Sequence, residues 1–183
     1  MLDGDKFSRM IEHPRAFTNG RLDPETYFQF TPTNTAKSVY ALSVASKFIL
    51  KTIDAVHSYG AGVAQEKNNR FLELNGHEPD PAVTYVGHYD LFLGSINRIN
   101  LDYYSQGVRW VPENGRTAHF QIELYPSGNA TKSQLKADRR KARAALFDVC
   151  MGPALCPDAV SNPELSAIID ELEAKPDWCW LPA

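Results

Sequence analysis

Four polar side chains alternate with apolar ones along residues 117–125, and their types are the best suited to chemistry in this chain. They are His119, Gln121, Glu123 and Tyr125. Because successive side chains of a β-strand point to opposite faces, these four share one face. An imidazole and a carboxylate on one face can bind a divalent metal or act as a general acid and base. His119 and Glu123 are therefore candidates for the centre of a metal-assisted hydrolase or nuclease.

A second imidazole–carboxylate pair lies upstream of the first. His88 and Asp90 are two residues apart in residues 83–93, which we expect to form a strand, so they also share a face. If that strand pairs with residues 117–125, His88 and His119 would lie in one site, but the sequence does not fix the pairing. The same alternation is typical of the solvent face of a half-buried antiparallel strand, so we assign no catalytic residue and no metal site.

A row of basic side chains lies along a helix that we predict over residues 132–149. The row consists of Lys132, Lys136, Arg139, Arg140 and Arg143. At 3.6 residues per turn, four of the five fall within about one sixth of the helix circumference. Such a row could contact nucleic-acid phosphates, with an affinity that falls steeply with salt, or dock onto an acidic protein surface. The alternative is a solvated outer face whose charges meet acids elsewhere in the fold.

The Asn114-Gly115 dipeptide predicts a hairpin over about residues 106–125, because Asn-Gly suits a two-residue turn between strands. With a two-residue loop, Trp110 lies opposite His119 on the polar face. Tryptophan and tyrosine are enriched at protein interfaces, so this face is a candidate surface for a partner. The predicted partner-binding residues are Trp110, His119, Gln121 and Tyr125.

Motifs that would name a reaction are missing from the sequence. It contains no P-loop, no dinucleotide GxGxxG, no GxSxG, no HExxH and no EF-hand loop, and we expect no cofactor. Cys150, Cys156 and Cys179 are an odd number and lack the CxxC spacing of zinc sites. We interpret them as free thiols in a reducing compartment, with Cys150 and Cys156 buried, although a disulfide between these two is an open alternative.

Apolar periodicity predicts the main elements. Helices are expected near residues 34–58, 132–149 and 162–174, with a short helix near residues 4–12. Together with the hairpin, they predict an α+β fold: a small antiparallel sheet packed on one face by the three longer helices. Phe120, Ile122 and Leu124 would then face those helices.

Composition limits the class of protein. The chain has 183 residues, of which 43% are hydrophobic and 22% charged, typical of one globular domain spanning residues 1–183. The net charge of −3 requires any nucleic-acid surface to be local. There is no apolar run of about 18 residues and no secretory signal at the N-terminus, so we expect a cytoplasmic protein without membrane association.

These observations favour a non-catalytic binding or accessory protein. It would engage a macromolecular partner, most simply another protein, through the polar and aromatic sheet face and the basic helix. Two alternatives stay open. One is a nucleic-acid-binding protein that uses the basic helix, and the other is a metal-assisted hydrolase or nuclease centred on His119 and Glu123.

Overall fold

A computed structural model describes residues 1–33, 38–113 and 115–174 of the chain. The strands are β1 Lys6–His13, β2 Phe17–Thr18, β3 Arg21–Leu22, β4 Thr31–Pro32, β5 Tyr40–Ser46, β6 Thr84–Phe92, β7 Tyr104–Trp110, β8 His119–Pro126 and β9 Met151–Leu155. The α-helices are α1 Pro24–Tyr27, α2 Lys47–Leu50, α3 Ile53–Asn75, α4 Leu93–Asn97, α5 Lys132–Val149, α6 Pro157–Val160 and α7 Ser166–Glu173, and a 3-10 helix, Pro163–Leu165, precedes α7.

Seven strands form one antiparallel sheet in the order β7-β8-β5-β1-β6-β9, with β4 paired beside β1 on the same side of β5. The two short strands β2 and β3 pair separately. The predicted α+β class with an antiparallel sheet is therefore confirmed. Among the described residues, no helix combines the length and apolar character that crossing a membrane requires.

The predicted helix over residues 34–58 is wrong in its first half. Residues 34–37 lie outside the described part, and the next element is the strand β5, which pairs with β8, β4 and β1. The helix α3 begins only after Thr52, whose hydroxyl accepts a hydrogen bond from the amide of Ala55. Strand pairing on both sides of β5 outweighs a helical spacing of apolar residues, because propensity is a weak signal beside tertiary contacts.

The helix α3 runs through Gly60 without a break. A Cβ atom at Gly60 would lie 2.4 Å from the ring of Tyr85 on β6. Glycine is therefore present because the helix packs closely on the sheet, and it does not end the helix. Residues 63–74 are the C-terminal part of the same helix.

Two further local predictions are confirmed and one is wrong. The helix α5 has the predicted bounds, and Thr131 and Gln134 form its capping box. The strand expected near residues 83–93 is β6. The short helix expected near residues 4–12 is instead β1, because this segment pairs with β6 along its whole length.

The predicted hairpin exists, but its register is shifted by one residue. Glu113 and Arg116 bridge across the turn as expected, while Asn114 itself lies outside the described residues. A further turn follows, in which the amide of His119 donates to the carbonyl of Arg116. The extra residue places Trp110 opposite Phe120 instead of His119. Since a slip of one residue exchanges the two faces of a strand, Trp110 leaves the polar face.

Helices pack on both faces of the sheet, and the predicted one-sided packing is wrong. On the apolar face, Ile122 and Leu124 of β8 lie against Ala142 and Leu146 of α5, as expected for the hairpin. On the opposite face, the helix α3 packs over β1 and β6. The strand β6 has buried residues on both faces of the sheet, because this strand lies between two helical layers.

Candidate functional site

The first candidate pair, His119 and Glu123, is separated by its contacts. His119 is buried, and its Nδ1 lies 2.6 Å from the carbonyl oxygen of Val111. Glu123 is also buried, and it accepts a hydrogen bond of 2.9 Å from Nε of Arg109 and another from the Tyr125 hydroxyl. His119 and Glu123 therefore contact different residues, and the structure does not bring them together in one site.

No metal site is formed around these residues. Within residues 1–33, 38–113 and 115–174, no three His, Cys, Asp or Glu side chains are grouped so that they could hold a metal ion. His88 does not meet His119 either, because β1 and β5 lie between their strands. Three strand spacings of roughly 4.8 Å place the two backbones about 14 Å apart.

The predicted partner-binding residues are divided between the faces of the sheet. Gln121 pairs with Arg109, and Tyr125 pairs with Ser105, on the polar face. Trp110 is 56% exposed on the other face, where its indole nitrogen donates to the carbonyl of Thr117. Because His119 is buried as well, only part of the predicted set is available to one partner.

His88 and Asp90 do share a face beneath α3, within a chain of neighbouring polar groups in which these two are not hydrogen-bonded to each other. Asp90 accepts from the hydroxyl of Ser8 at 2.8 Å and from Nζ of Lys47 at 2.7 Å. Nε2 of His88 lies 3.6 Å from the same carboxylate. Beyond His88, the chain continues through the hydroxyl of Tyr85, 3.0 Å from Nδ1 of His88, to Nδ1 of His57 at 3.0 Å.

Burial sets the protonation states within this chain of groups. His88 is fully buried, and desolvation lowers its pKa to about 4, although the charge of Asp90 opposes the shift. Desolvation also raises the pKa of Tyr85. Ser8 is fully buried and its hydroxyl donates a hydrogen bond to Asp90, so it is not accessible as a nucleophile. The contacts of this arrangement join β1, β6 and α3.

The basic row on α5 is partly used within the fold. Arg139 donates to the hydroxyl of Tyr104 at 2.7 Å, and its guanidinium lies 4.0 Å from the centre of the Tyr40 ring. Arg140 and Arg143 lie 3.8 and 3.7 Å from Glu25. The two remaining members, Lys132 and Lys136, are exposed.

A groove opens where β1 and β5 separate. The two strands pair only at Phe7–Ser46 and Ser8–Ala45, after which β1 continues along β6 alone. The gap contains two adjoining hollows with volumes of about 520 and 180 Å³. We call them together the β1/β5 groove. Five residues line both hollows: Arg9, Met10, Glu12, Ser43 and Lys67.

The guanidinium of Arg9 is held at the entrance to the gap between the strands. Its Nε and one terminal nitrogen donate to the carbonyl of Tyr27 at 3.1 and 3.0 Å, and the other terminal nitrogen donates to the carbonyl of Ser43 at 2.9 Å. Its acceptors are neutral carbonyls, and among the described residues no carboxylate forms an ion pair with it. These bonds use three of its five N–H groups.

The carboxylate of Glu12 is already used. Both of its oxygens lie 2.5 Å from Nζ of Lys67 on α3. Glu12 is buried, and burial lowers the pKa of Lys67 while Glu12 opposes that effect. The larger hollow is also lined by the exposed Arg15. With Arg9, Arg15 and Lys67 against Glu12 alone, this hollow has an excess of two positive charges.

Little in the sequence indicates the groove. Of the five residues that line both hollows, Arg9, Met10, Glu12 and Ser43 lie on β1 and β5, the two segments predicted as helices, and Lys67 lies on α3. Alternation of Met10 and Glu12 along a strand is a signal that could have placed these two on a common face. Cys150 and Cys156 are buried and form no disulfide within the described part of the chain, so the open alternative of a bond between them is wrong; Cys179 lies outside the described residues.

Comparison with known proteins found no match for this chain among protein families, curated proteins or solved structures.

Proposed function

We propose that this chain is a non-catalytic binding protein that holds part of a protein partner in the β1/β5 groove. The observation that supports this proposal is the groove, whose two hollows have volumes of about 520 and 180 Å³ beside α3. The larger hollow lies within the range of about 300–1,000 Å³ that is typical of small-molecule pockets, so it has room for one or a few side chains of a partner. The polar side chains around it supply hydrogen bonds for orientation.

The sheet surface beside the groove extends the candidate interface. The helix α3 packs over β1 and β6, whereas Ser43 on β5 and Arg109 on β7 remain exposed. Gln121 is half-buried and Tyr125 is 38% exposed on the same face. A partner bound in the groove would also contact the hairpin at Gln121 and Tyr125, which are two of the partner-binding residues predicted from the sequence.

The two alternative functions have less support. A metal-assisted hydrolase would need His119 and Glu123 to act together, and their contacts lie elsewhere. A nucleic-acid-binding helix would rely on the whole basic row, namely Lys132, Lys136, Arg139, Arg140 and Arg143. Its three arginines already contact Tyr104 or Glu25, which leaves the two lysines.

A bulky side chain in the groove tests the proposal. Ser43→Trp would fill space in both hollows, since Ser43 is exposed and lines each of them. Ser133→Trp on the exposed side of α5 is the matched control. Each protein is used as bait in host lysate, with chemical cross-linking and quantitative mass spectrometry.

We expect a stoichiometric partner with the wild type and the Ser133→Trp protein, and loss of that partner with Ser43→Trp. Circular dichroism and thermal unfolding establish that both variants are folded. Equal capture by Ser43→Trp, or the absence of any stoichiometric partner for the wild type, would contradict the proposal.

A further inference from the structure

We infer that the β1/β5 groove is specific for an acidic polypeptide segment, whose carboxylates bind at Arg9 and Arg15. This inference rests on the proposed function and names the chemistry of the partner. It follows from the charge of the groove, from the way Arg9 is held, and from the small aromatic surface that the groove offers.

The groove is positive in a protein that is negative overall. The chain has a net charge of −3, yet two more positive than negative side chains line the larger hollow. The smaller hollow adds Arg116, but that side chain lies 3.6 Å from Glu113 and 3.5 Å from Glu66, so it contributes little excess charge. The surplus is therefore concentrated at Arg9 and Arg15.

The position of Arg9 is fixed before any ligand arrives. Its three hydrogen bonds to backbone carbonyls, and its position 5.6 Å from the Tyr27 ring centre, restrict its rotamers. A preorganised guanidinium loses less entropy on binding and matches the planar geometry of a carboxylate. Arg15, which is exposed and makes no ion pair within the described part of the chain, can approach a second acidic side chain.

Phosphate groups also suit guanidinium, but the groove lacks what single-stranded nucleic acid requires in addition. Proteins that bind single strands stack bases on exposed aromatic rings. The aromatic side chains lining the two hollows are Tyr27, which is 1% exposed, Tyr59 of α3, which is half-buried against the core, and His119, which is buried. Hydroxyl and amide side chains such as Thr26, Thr31 and Gln29 line the rest, and they suit a peptide backbone.

The test uses the full chain and a fluorescein-labelled oligoglutamate peptide, with fluorescence anisotropy at low and high salt. An oligoglutamine peptide and an oligothymidylate of the same length are compared. Arg15→Glu reverses one groove charge without removing a described hydrogen bond, and Lys136→Glu on α5 makes the same change of charge at an exposed site outside the groove.

We expect oligoglutamate to bind, oligoglutamine not to bind, and binding to weaken as salt is added. Arg15→Glu should weaken the affinity by at least about tenfold, since a charge-assisted contact is lost and a repulsion is gained. Lys136→Glu should change it by less than about twofold, because its charge is exposed and distant.

The inference would be overturned by three results: no binding of oligoglutamate, equal losses in both variants, or oligothymidylate binding more tightly with the same dependence on Arg15. Its failure is distinguishable from failure of the proposed function. If Ser43→Trp abolishes partner capture while Arg15→Glu changes neither capture nor peptide binding, the groove binds a partner but not through acidic residues. If Ser43→Trp leaves capture intact, the proposed function itself fails.

Discussion

His88 should make the stability of this protein sensitive to acid. In the folded protein the ring is fully buried, and its Nε2 makes no hydrogen bond within the described part of the chain. Desolvation holds the pKa of His88 at about 4, against 6.5 for an unperturbed histidine. The unfolded chain therefore binds a proton between these two pH values more readily than the folded chain does. The contribution of His88 to the free energy of unfolding is therefore fully present above about pH 6.5, and it is lost as the pH falls towards 4.

The size of the effect follows from the pKa difference. Each pKa unit corresponds to about 1.4 kcal/mol, so His88 accounts for a loss of about 3 kcal/mol once the pH is below 4. Of this loss, about 2 kcal/mol in the free energy of unfolding should occur between about pH 6.5 and about pH 4.5. Solvent does not screen this effect, because the His88 side chain is 0% exposed.

The perturbation that isolates this effect is His88→Gln, because the amide is uncharged at both pH values and can still contact Tyr85. Urea unfolding of the wild type and the variant is followed by circular dichroism at the two pH values. The variant is expected to be less stable than the wild type at the higher pH, but its stability should fall by about 2 kcal/mol less on acidification. His57, whose pKa is also lowered by burial, is present in both proteins and cancels. An identical loss of stability in the two proteins would refute the reasoning.

Three further changes test the packing of the fold by urea unfolding. Gly60→Ala should cost about 1–3 kcal/mol, because the new Cβ would overlap the Tyr85 ring; an unchanged stability would contradict the close packing. Arg109→Met should be more destabilising than Glu123→Gln, because it leaves a buried carboxylate without its cation; the reverse order would argue against that pairing. Thr131→Ala should lower the free energy of unfolding by about 1 kcal/mol, because the capping box is lost. The size of this loss should be the same at both pH values, since neither side chain of the capping box is charged; a loss that changes with pH would contradict this explanation.

The features that could be predicted are those whose interactions lie close together in the sequence. The helix α5 was placed with its correct bounds, because its cap at Thr131 and its apolar spacing are local signals. The hairpin was found from Asn114-Gly115 for the same reason, and the packing of Ile122 on α5 followed from alternation along β8.

The errors arise where distant segments decide the conformation. The strand β5 has a helical spacing of apolar residues, but it is extended because β8, β4 and β1 pair with it. The register of the hairpin changed through one additional turn, in which His119 bonds back to Arg116, and this removed Trp110 from the polar face. No local signal reports either effect, since both depend on which partners the strands meet.

The sequence by itself determined the α+β class, the capped helix α5, the hairpin and the shared face of His88 and Asp90. Only the tertiary structure decided that Glu12 of β1 meets Lys67 of α3, and that β1 and β5 separate to leave a positively charged groove. The physical reason is the range of the interactions. Helix caps and turns are closed by neighbouring residues, whereas the groove is formed by residues from strands and helices far apart in the chain.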